Sequence, residues 1–443
     1  VTPEHLDALY TLGISNIKLG LSNIRQILDA MGNPQRHPQI IHFAGTNGKG
    51  STLVTLETLL LQSGYSVGST VSPHLISFNE RFRINGISVE DASLDEAFFA
   101  VCRACGIDAS DFRETAQKSR IRPTFFEFAI AMAFFLFRKY QVEYILLETG
   151  LGGRLDATNV VEDPLACVLT RIDFDHQEFL GNSLPEITGE KLGILKGKTP
   201  VFVAYQREEV TKQILEVCYE QGAPCLLANR EFGFRDQEES LTLYLRSEDQ
   251  AEPEGGINHQ LKTNSLGLLG DHQKENITTA LALYWSLVPA ANLLDQEQLR
   301  SCLQGLHWPA RLQYLNEDKS LLIDGAHNAS GMKSLLEFLN KAHKDQKILF
   351  AVSWLEHKEF LAVFEQLNPQ SVSFQPLEMK MDKAKDISQI YQLLQKQGFL
   401  VAPPMTVLEF TEQLDQDSLP ERDLLVVAGS LYLIGEFLSY RPS

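Results

Sequence analysis

Residues Ile40 to Thr52 read Ile-Ile-His-Phe-Ala-Gly-Thr-Asn-Gly-Lys-Gly-Ser-Thr, an apolar run that breaks into a glycine-rich turn and continues as Leu53-Val54-Thr55-Leu56. The pattern predicts a strand, a phosphate loop and a helix. Gly45, Gly48 and Gly50 let the backbone take positive φ and approach a ligand, while the following helix aims unpaired N–H groups and its positive dipole end at an anion. Lys49 adds a mobile positive charge. Ser51 and Thr52 offer hydroxyls where a Mg²⁺ bridging phosphates takes an oxygen. The strict phosphate-loop spacing is broken twice, because Phe43 stands in place of its first glycine and Gly50 in place of the hydroxyl after the lysine. A tight turn at a sheet edge is the alternative.

With 443 residues the chain has length for two domains and an ample core without metal or disulfide staples. A net charge of -18 and a pI near 5.1 argue against a nucleic-acid partner. Anionic ligands must then be met by local positive groups. Of six cysteines, Cys102-Arg-Ala-Cys105 alone has a redox-like or metal-like spacing, and no second pair completes it. The cysteines are expected to be reduced thiols. The start of the chain lacks a signal-peptide pattern, and the most apolar segment, Phe125 to Phe137, is too short to span a bilayer and contains Glu127. The expectation is a soluble, cytoplasmic protein with no membrane partner.

Along the chain, Leu6, Leu9 and Leu12, then Ile17, Leu21, Ile24, Ile27 and Leu28, fall at helical spacing. Tyr65 to Val71 predicts a second strand running into Ser72-Pro-His-Leu, and Glu80 to Gly86 a short strand ending in an Asn-Gly turn. A helix is predicted from about Leu94 to Cys105 and another over Thr124 to Tyr140, opened by Pro123 and Thr124. Glu127 in its first turn either complements the dipole or points into a cleft. Tyr144 to Glu148 reads as a buried strand ending in an acid, followed by Thr149-Gly-Leu-Gly-Gly-Arg-Leu-Asp-Ala-Thr-Asn159, a loop suited to close approach of a charged ligand. Leu165 to Thr170 predicts a strand that brings Asp173, Asp175 and His176 to the same edge as Glu148. Ser183 to Gly197 predicts a helix with Lys191 among apolar neighbours, which is either a snorkelling lysine or a site residue.

Pro200 to Ala204 predicts a further strand, and Phe232 to Leu268 a small antiparallel appendage whose stretch Asp236 to Glu254 is charged. Gly270 to Asn276 precedes a predicted helix over Ile277 to Val288, and Pro289 to Gln298 reads as a linker, placing the domain boundary near residue 300. Beyond it, predicted strands at Arg311 to Leu315, Ser320 to Asp324, Ile348 to Ser353, Ser371 to Phe374 and Leu424 to Ala428 alternate with helices, as in a second parallel α/β domain. Asp324-Gly-Ala-His-Asn328 ends one strand, where open α/β sheets bind ligands.

These motifs resemble, in order and spacing over nearly the whole chain, the folylpolyglutamate and dihydrofolate synthases of the Mur ligase superfamily. The resemblance implies an α/β fold: an ATP-binding domain of the phosphate-loop type over 1–300, with the appendage, and a smaller Rossmann-like domain over 301–443. It implies ATP and Mg²⁺, with K⁺ as a further candidate ion, and a monomer acting on small molecules: ATP, L-glutamate and dihydropteroate or a reduced folate. Carried over by position, Gly45, Thr46, Asn47, Gly48, Lys49, Gly50 and Ser51 hold ATP, together with Asn276, Arg311, Asp324 and His327. Ser51, Ser72, Glu148, His176 and Lys191 serve the metal, with Lys191 carbamylated, and Lys49, Lys191 and His176 serve the chemistry.

Phe125, Phe126 and Phe128 offer surfaces on which a pterin could stack, though on a helix they cannot all face one way. Glu127 or Asp156 could meet the ring's N–H groups, and Arg81, Thr124 and Arg154 complete the expected substrate side. Ala310 departs from the family pattern, which has glycine before the arginine. The implied reaction is amide formation through an acyl phosphate, with both ligase activities expected. The competing readings are a monofunctional folylpolyglutamate synthase, a Mur-type cell-wall ligase, and a nucleotide switch acting through a partner.

Overall fold

The computed structural model describes residues 3–13, 20–37, 39–237, 240–246, 257–358, 360–381 and 383–441. Ile17 of the amphipathic pattern and residues 238–239 and 247–256 of the acidic stretch lie outside them. The chain divides into two compact units, one holding residues up to His74, Phe78–Ser265 and Lys274–Leu306, the other Leu75–Ser77, Leu266–Gln273 and His307 onward.

The first unit is built on an eight-stranded sheet in the order Ile87–Ser88, Phe82–Ile84, Val67–Thr70, Tyr144–Glu148, Ile40–Ala44, Ala166–Leu169, Val201–Val203, Cys225–Leu227. Six strands run parallel, and the two at the Ile87 edge are antiparallel, joined by the Asn85-Gly86 turn. Strand Ile40–Ala44 lies between the two strands that follow much later in sequence, with Phe43 level with Glu148 and Ala44 with Leu169. Its three central strands are apolar except for His42 and Glu148, and all of their residues are buried, as a sheet covered on both faces requires. Parallel pairing in that register puts their carboxyl ends at one edge, so the loops after Ala44, Glu148 and Leu169 open side by side.

Helix Phe125–Lys139 covers one face; Thr124 caps it and Glu127 closes a capping box, which is why the helix begins where it does. A separate antiparallel sheet, Phe232–Gln237, Ser240–Arg246 and Ile257–Thr263, forms the appendage.

Several boundaries differ from the sequence reading. The helix expected over Ser183 to Gly197 stops at Leu192 with Gly193 as its C-cap, a residue packed so closely on Arg154 that a Cβ there would lie 2.4 Å from the Arg154 Cα. The helix expected from Ile277 starts at Asp271, inside the polar Gly270 motif. Pro289 to Gln298 is not an open linker: it holds a 3-10 turn, Ala290–Asn292, and the start of helix Gln296–Gln304, which Asp295 caps through the N–H groups of Glu297 and Gln298. Helix Glu208–Gln221 and strand Cys225–Leu227 add to the elements that the sequence predicts.

The second unit has a sheet in the order Gln313–Tyr314, Leu321–Asp324, Leu424–Ala428, Ile348–Val352, Val372–Glu378, Leu400–Val401, with Met405–Thr406 on the far end of Val372–Glu378. All pairs are parallel except the first, so the strand expected at Arg311 to Leu315 is a two-residue antiparallel edge. Among the described residues no helix is long and apolar enough to cross a membrane.

Candidate active site

The glycine turn is held by what it touches. Gly45 has φ 157°, and a Cβ there would lie 1.9 Å from Thr170 Oγ1. Gly48 has φ 90°, and its Cβ would lie 2.3 Å from Asn276 Oδ1. Both are therefore positions that only glycine fills without displacing a neighbour. Thr46 and Asn47 donate their N–H groups to the Arg171 carbonyl, at 2.8 and 3.1 Å. Helix Lys49–Gln62 then starts without a side-chain cap, leaving its first N–H groups in the position where an anion can take them. Ser51 is buried in its first turn.

Two lysines converge on the Gly45 carbonyl. Lys49 Nζ donates to it at 3.0 Å and to the Thr46 carbonyl at 3.3 Å, and Lys191 Nζ donates to it at 3.0 Å from helix Leu184–Leu192. Lys49 is also 3.9 Å from Glu148 Oε1, while Glu148 Oε2 accepts from the Ser72 N–H at 3.1 Å. Lys191 is 4% exposed, so it is not a snorkelling surface lysine. Burial, and secondarily the Lys49 charge, bring its pKa down to about 7, with Asp175 and Asp156 pulling the other way. His176 follows on the neighbouring loop at φ 51°, its N–H bonded to Asp175 Oδ1 at 2.9 Å.

The residues expected on the substrate side divide. Phe125 and Phe128 are buried in the core, and Phe126 is the partly exposed one of the three. Its ring lies over Gly150, where a Cβ would meet it at 2.6 Å. Arg81 is buried, donates from Nε to His74 Nδ1 at 2.8 Å and stands 5.3 Å over the Phe125 ring.

Glu127, one of the two acids expected to face a pterin, accepts the Thr124 N–H at 2.8 Å, while Thr124 Oγ1 accepts the Glu127 N–H. Asp156, the other, accepts from Gly150 and Leu151 N–H on one oxygen and from the Thr158 N–H and hydroxyl on the other. Both carboxylates thus hold their own backbone. Burial pushes the Asp156 pKa up against those hydrogen bonds, which pull it down. Arg154 pairs with Glu190 at 2.7 Å near the surface.

The second unit carries Arg311, Asp324 and His327. Asp324 accepts from the Leu312 N–H at 2.8 Å and the Ala326 N–H at 2.9 Å, and burial raises its pKa while Arg311 opposes the rise. His327 Nδ1 lies 2.8 Å from the Gly325 carbonyl. Ala310 has φ 57°, so the residue where the family pattern has glycine does adopt the left-handed conformation that glycine favours. Sequence reasoning missed Thr170, Gln206 and Arg207. A threonine ending a strand and a Gln-Arg pair before a helix carry no distinctive motif.

As a metal fit, the Ser51 hydroxyl and the Glu148 carboxylate are hard oxygen donors suited to Mg²⁺, and Lys191 qualifies only as a carbamate, since its ammonium has no lone pair to give and its neutral amine offers nitrogen to a cation that takes oxygen.

Known proteins resemble this chain over nearly its whole length. Residues 310–440 match the family model for the C-terminal domain of dihydrofolate synthetase. The dihydrofolate synthase/folylpolyglutamate synthase of Bacillus subtilis is 31% identical over 95% of this chain and 94% of its own. The structure of E. coli FolC in complex with DHPP and ADP superposes with a TM-score of 0.81 at 26% identity, covering 98% of this chain and 96% of that one. A bifunctional folylpolyglutamate synthase/dihydrofolate synthase from Yersinia pestis, complexed with AMPPNP and Mn ion, gives 0.80 at 27% identity over 98% and 96%. The fold is the two-domain fold of the Mur ligases, and the chain belongs to the dihydrofolate synthase/folylpolyglutamate synthase family.

Proposed function

We propose that this chain is an ATP-dependent ligase that joins L-glutamate to a pterin carboxylate, acting both on dihydropteroate and on a reduced folate that already bears glutamate. The observation that carries the reading is the convergence of Lys49 and Lys191 on the Gly45 carbonyl beside Glu148, at the carboxyl edge of a phosphate-loop sheet.

A carboxylate is a poor electrophile. Transfer of the γ-phosphoryl group of ATP to one carboxylate oxygen releases ADP and makes an acyl phosphate. The glutamate amine then attacks the carbonyl carbon, the C–N bond forms, phosphate leaves with the C–O electron pair, and the amine gives up a proton. Positioning and charge neutralisation supply most of such catalysis. Lys49 swings from the Gly45 and Thr46 carbonyls to the transferring phosphate, and the first turn of helix Lys49–Gln62 holds the phosphates through its N–H groups. Ser51, Ser72, Glu148, His176 and a carbamylated Lys191 would hold Mg²⁺, which would supply charge neutralisation at the phosphates.

A pKa near 7 keeps much of the Lys191 amine neutral at physiological pH, as addition to CO₂ requires: the N–C bond forms, one proton leaves, and a neutral amine becomes an anion. Asn276, Arg311, Asp324 and His327 serve the nucleotide. Arg81, Thr124, Phe126, Glu127, Arg154 and Asp156 build the pterin side, Phe126 by stacking and Asp156 and Glu127 by fixing the loops that carry it. We read the chain as a monomer, every group named here being its own. Six free cysteines suit a reducing compartment such as the cytoplasm.

The test supplies dihydropteroate or a reduced monoglutamyl folate separately with ATP, Mg²⁺ and L-glutamate, and follows ADP release and product mass. Both acids are expected to turn over. Turnover with one alone removes the other half of the reading, and ATP turnover independent of any pterin acid removes the whole.

A further inference from the structure

The phosphate loop leans on a wall, and the wall is held from behind. Residues 170–173 leave strand Ala166–Leu169 and receive the loop: the Arg171 carbonyl takes the N–H groups of Thr46 and Asn47, and Asp173 exchanges two hydrogen bonds with the Thr46 side chain. In that exchange Thr46 Oγ1 donates to the Asp173 carbonyl at 2.8 Å and accepts the Asp173 N–H at 3.0 Å. Four hydrogen bonds thus fix two loop residues to this segment.

On the other side stand Gln206 and Arg207, between strand Val201–Val203 and helix Glu208–Gln221. Gln206 uses both ends of its amide, donating from Nε2 to the Thr170 carbonyl and accepting the Ile172 N–H at Oε1, each at 2.9 Å. Arg207 is the N-cap residue of the helix, yet its side chain makes no cap hydrogen bond. Its Nη2 instead donates to both Asp173 oxygens, at 2.9 and 3.1 Å. The same Asp173 Oδ1 accepts the Phe174 N–H at 3.0 Å and so turns the chain toward Asp175 and His176.

We infer that Gln206 and Arg207 are positioning residues for the nucleotide: through the Thr170–Asp173 wall they set where the phosphate loop stands. Neither is a catalytic residue. Their effect reaches ATP through hydrogen-bonded backbone, and it rests on the ligase reading above. A side chain that only stabilises the fold would weaken every substrate alike. A splint behind the phosphate loop weakens nucleotide selectively.

The experiment measures KM for ATP and for glutamate in the ligase assay, and Kd for ADP by calorimetry, in the full chain and its variants. Arg207→Ala and Gln206→Ala should each raise KM for ATP and Kd for ADP about tenfold, less than the roughly hundredfold that an ångström of misplacement can cost. KM for glutamate should stay within about twofold. Arg207→Lys keeps a donor and should recover most of the loss. Gln206→Glu keeps the acceptor for Ile172 but sets a carboxylate against the Thr170 carbonyl, so it should behave like the alanine variant, and these two cover the case in which an alanine variant does not fold. The double variant Asp173→Asn/Arg207→Ala should be no worse than its poorer single, since both act on one contact. ADP affinity unchanged in a folded Arg207→Ala protein overturns the inference, as does a rise in the KM values of all substrates together. Failure of the unmodified chain to bind ADP would instead overturn the ligase reading.

Discussion

Gly45→Ala is the sharpest test of how the loop is built. The new Cβ would lie 1.9 Å from Thr170 Oγ1, 3.0 Å from Thr170 Cβ and 3.1 Å from the Thr170 carbonyl carbon. Rotation about χ1 could carry the hydroxyl away, but the Cβ and the backbone carbon stay, so the loop itself must move. Overpacking of this kind costs about 1–3 kcal/mol, and a loop displaced by about 1 Å loses on the order of a hundredfold in rate. We expect kcat/KM for ATP to fall by about two orders of magnitude, with the melting temperature lower by several degrees. Thr170→Ala in the same chain removes the 1.9 Å contact and leaves those at 3.0 and 3.1 Å, so the double variant should recover part of the loss, about tenfold, and not all of it. Steady-state kinetics with ATP varied, beside thermal unfolding, reads both quantities. A Gly45→Ala enzyme with unchanged kcat/KM, or a double variant no better than the single, would refute the reasoning.

Two further outcomes follow from the lysines. Lys49→Ala should abolish ligase turnover while leaving circular dichroism and melting temperature near those of the parent chain; a folded variant with full turnover removes Lys49 from the phosphates. Lys191 has a folded pKa of about 7 against 10.5 for a free lysine, so its contribution to stability is present above 10.5 and is lost as pH falls to about 7, up to a ceiling of about 5 kcal/mol. Lys191→Met should therefore gain stability over the parent at pH 6 and gain little at pH 10.5 by urea unfolding, and lose turnover at both; equal stability differences at the two pH values would show the lysine to be uncharged or well paired throughout.

The strand, loop and helix around Gly45 and the acid ending Tyr144–Glu148 are legible because each follows from local pattern: apolar runs fix strands, and parallel pairing brings their carboxyl ends together, whereas the apolar neighbours of Lys191 leave a snorkelling lysine and a buried one equally open. What the pattern could not carry was the partner of each polar side chain. The sequence offers Glu127 or Asp156 as an acid for a pterin, yet their oxygens sit on the N–H groups of Thr124, Gly150, Leu151 and Thr158, a convergence that depends on how loops fold back. Helix Gln296–Gln304 begins inside the expected linker, Pro289 to Gln298, because its sequence is almost entirely polar, with Leu299 and Leu303 as its buried residues, so apolar periodicity is too sparse to announce it. Asp295, its cap, was the available signal.

The two ammonium groups at the Gly45 carbonyl explain why the loop needs its company. Both lie 3.0 Å from one oxygen, hence no more than about 6 Å from each other, a repulsion that a buried site screens poorly. Glu148 answers Lys49, at 3.9 Å, but Lys191 has no carboxylate within ion-pair distance among the described residues. Three changes relieve it: loss of the Lys191 proton, arrival of an anion between the lysines, or conversion of Lys191 to a carbamate. The first occurs near pH 7 and prepares the third, while the second is what a phosphate does. The two lysines thus oppose each other in a way that an anionic nucleotide relaxes, so ADP should bind more tightly as pH falls from 8 toward 6 in protein freed of CO₂, where Lys191 gains a proton, and this trend should vanish in Lys191→Met. A pH dependence that persists unchanged in that variant would assign the proton to another group.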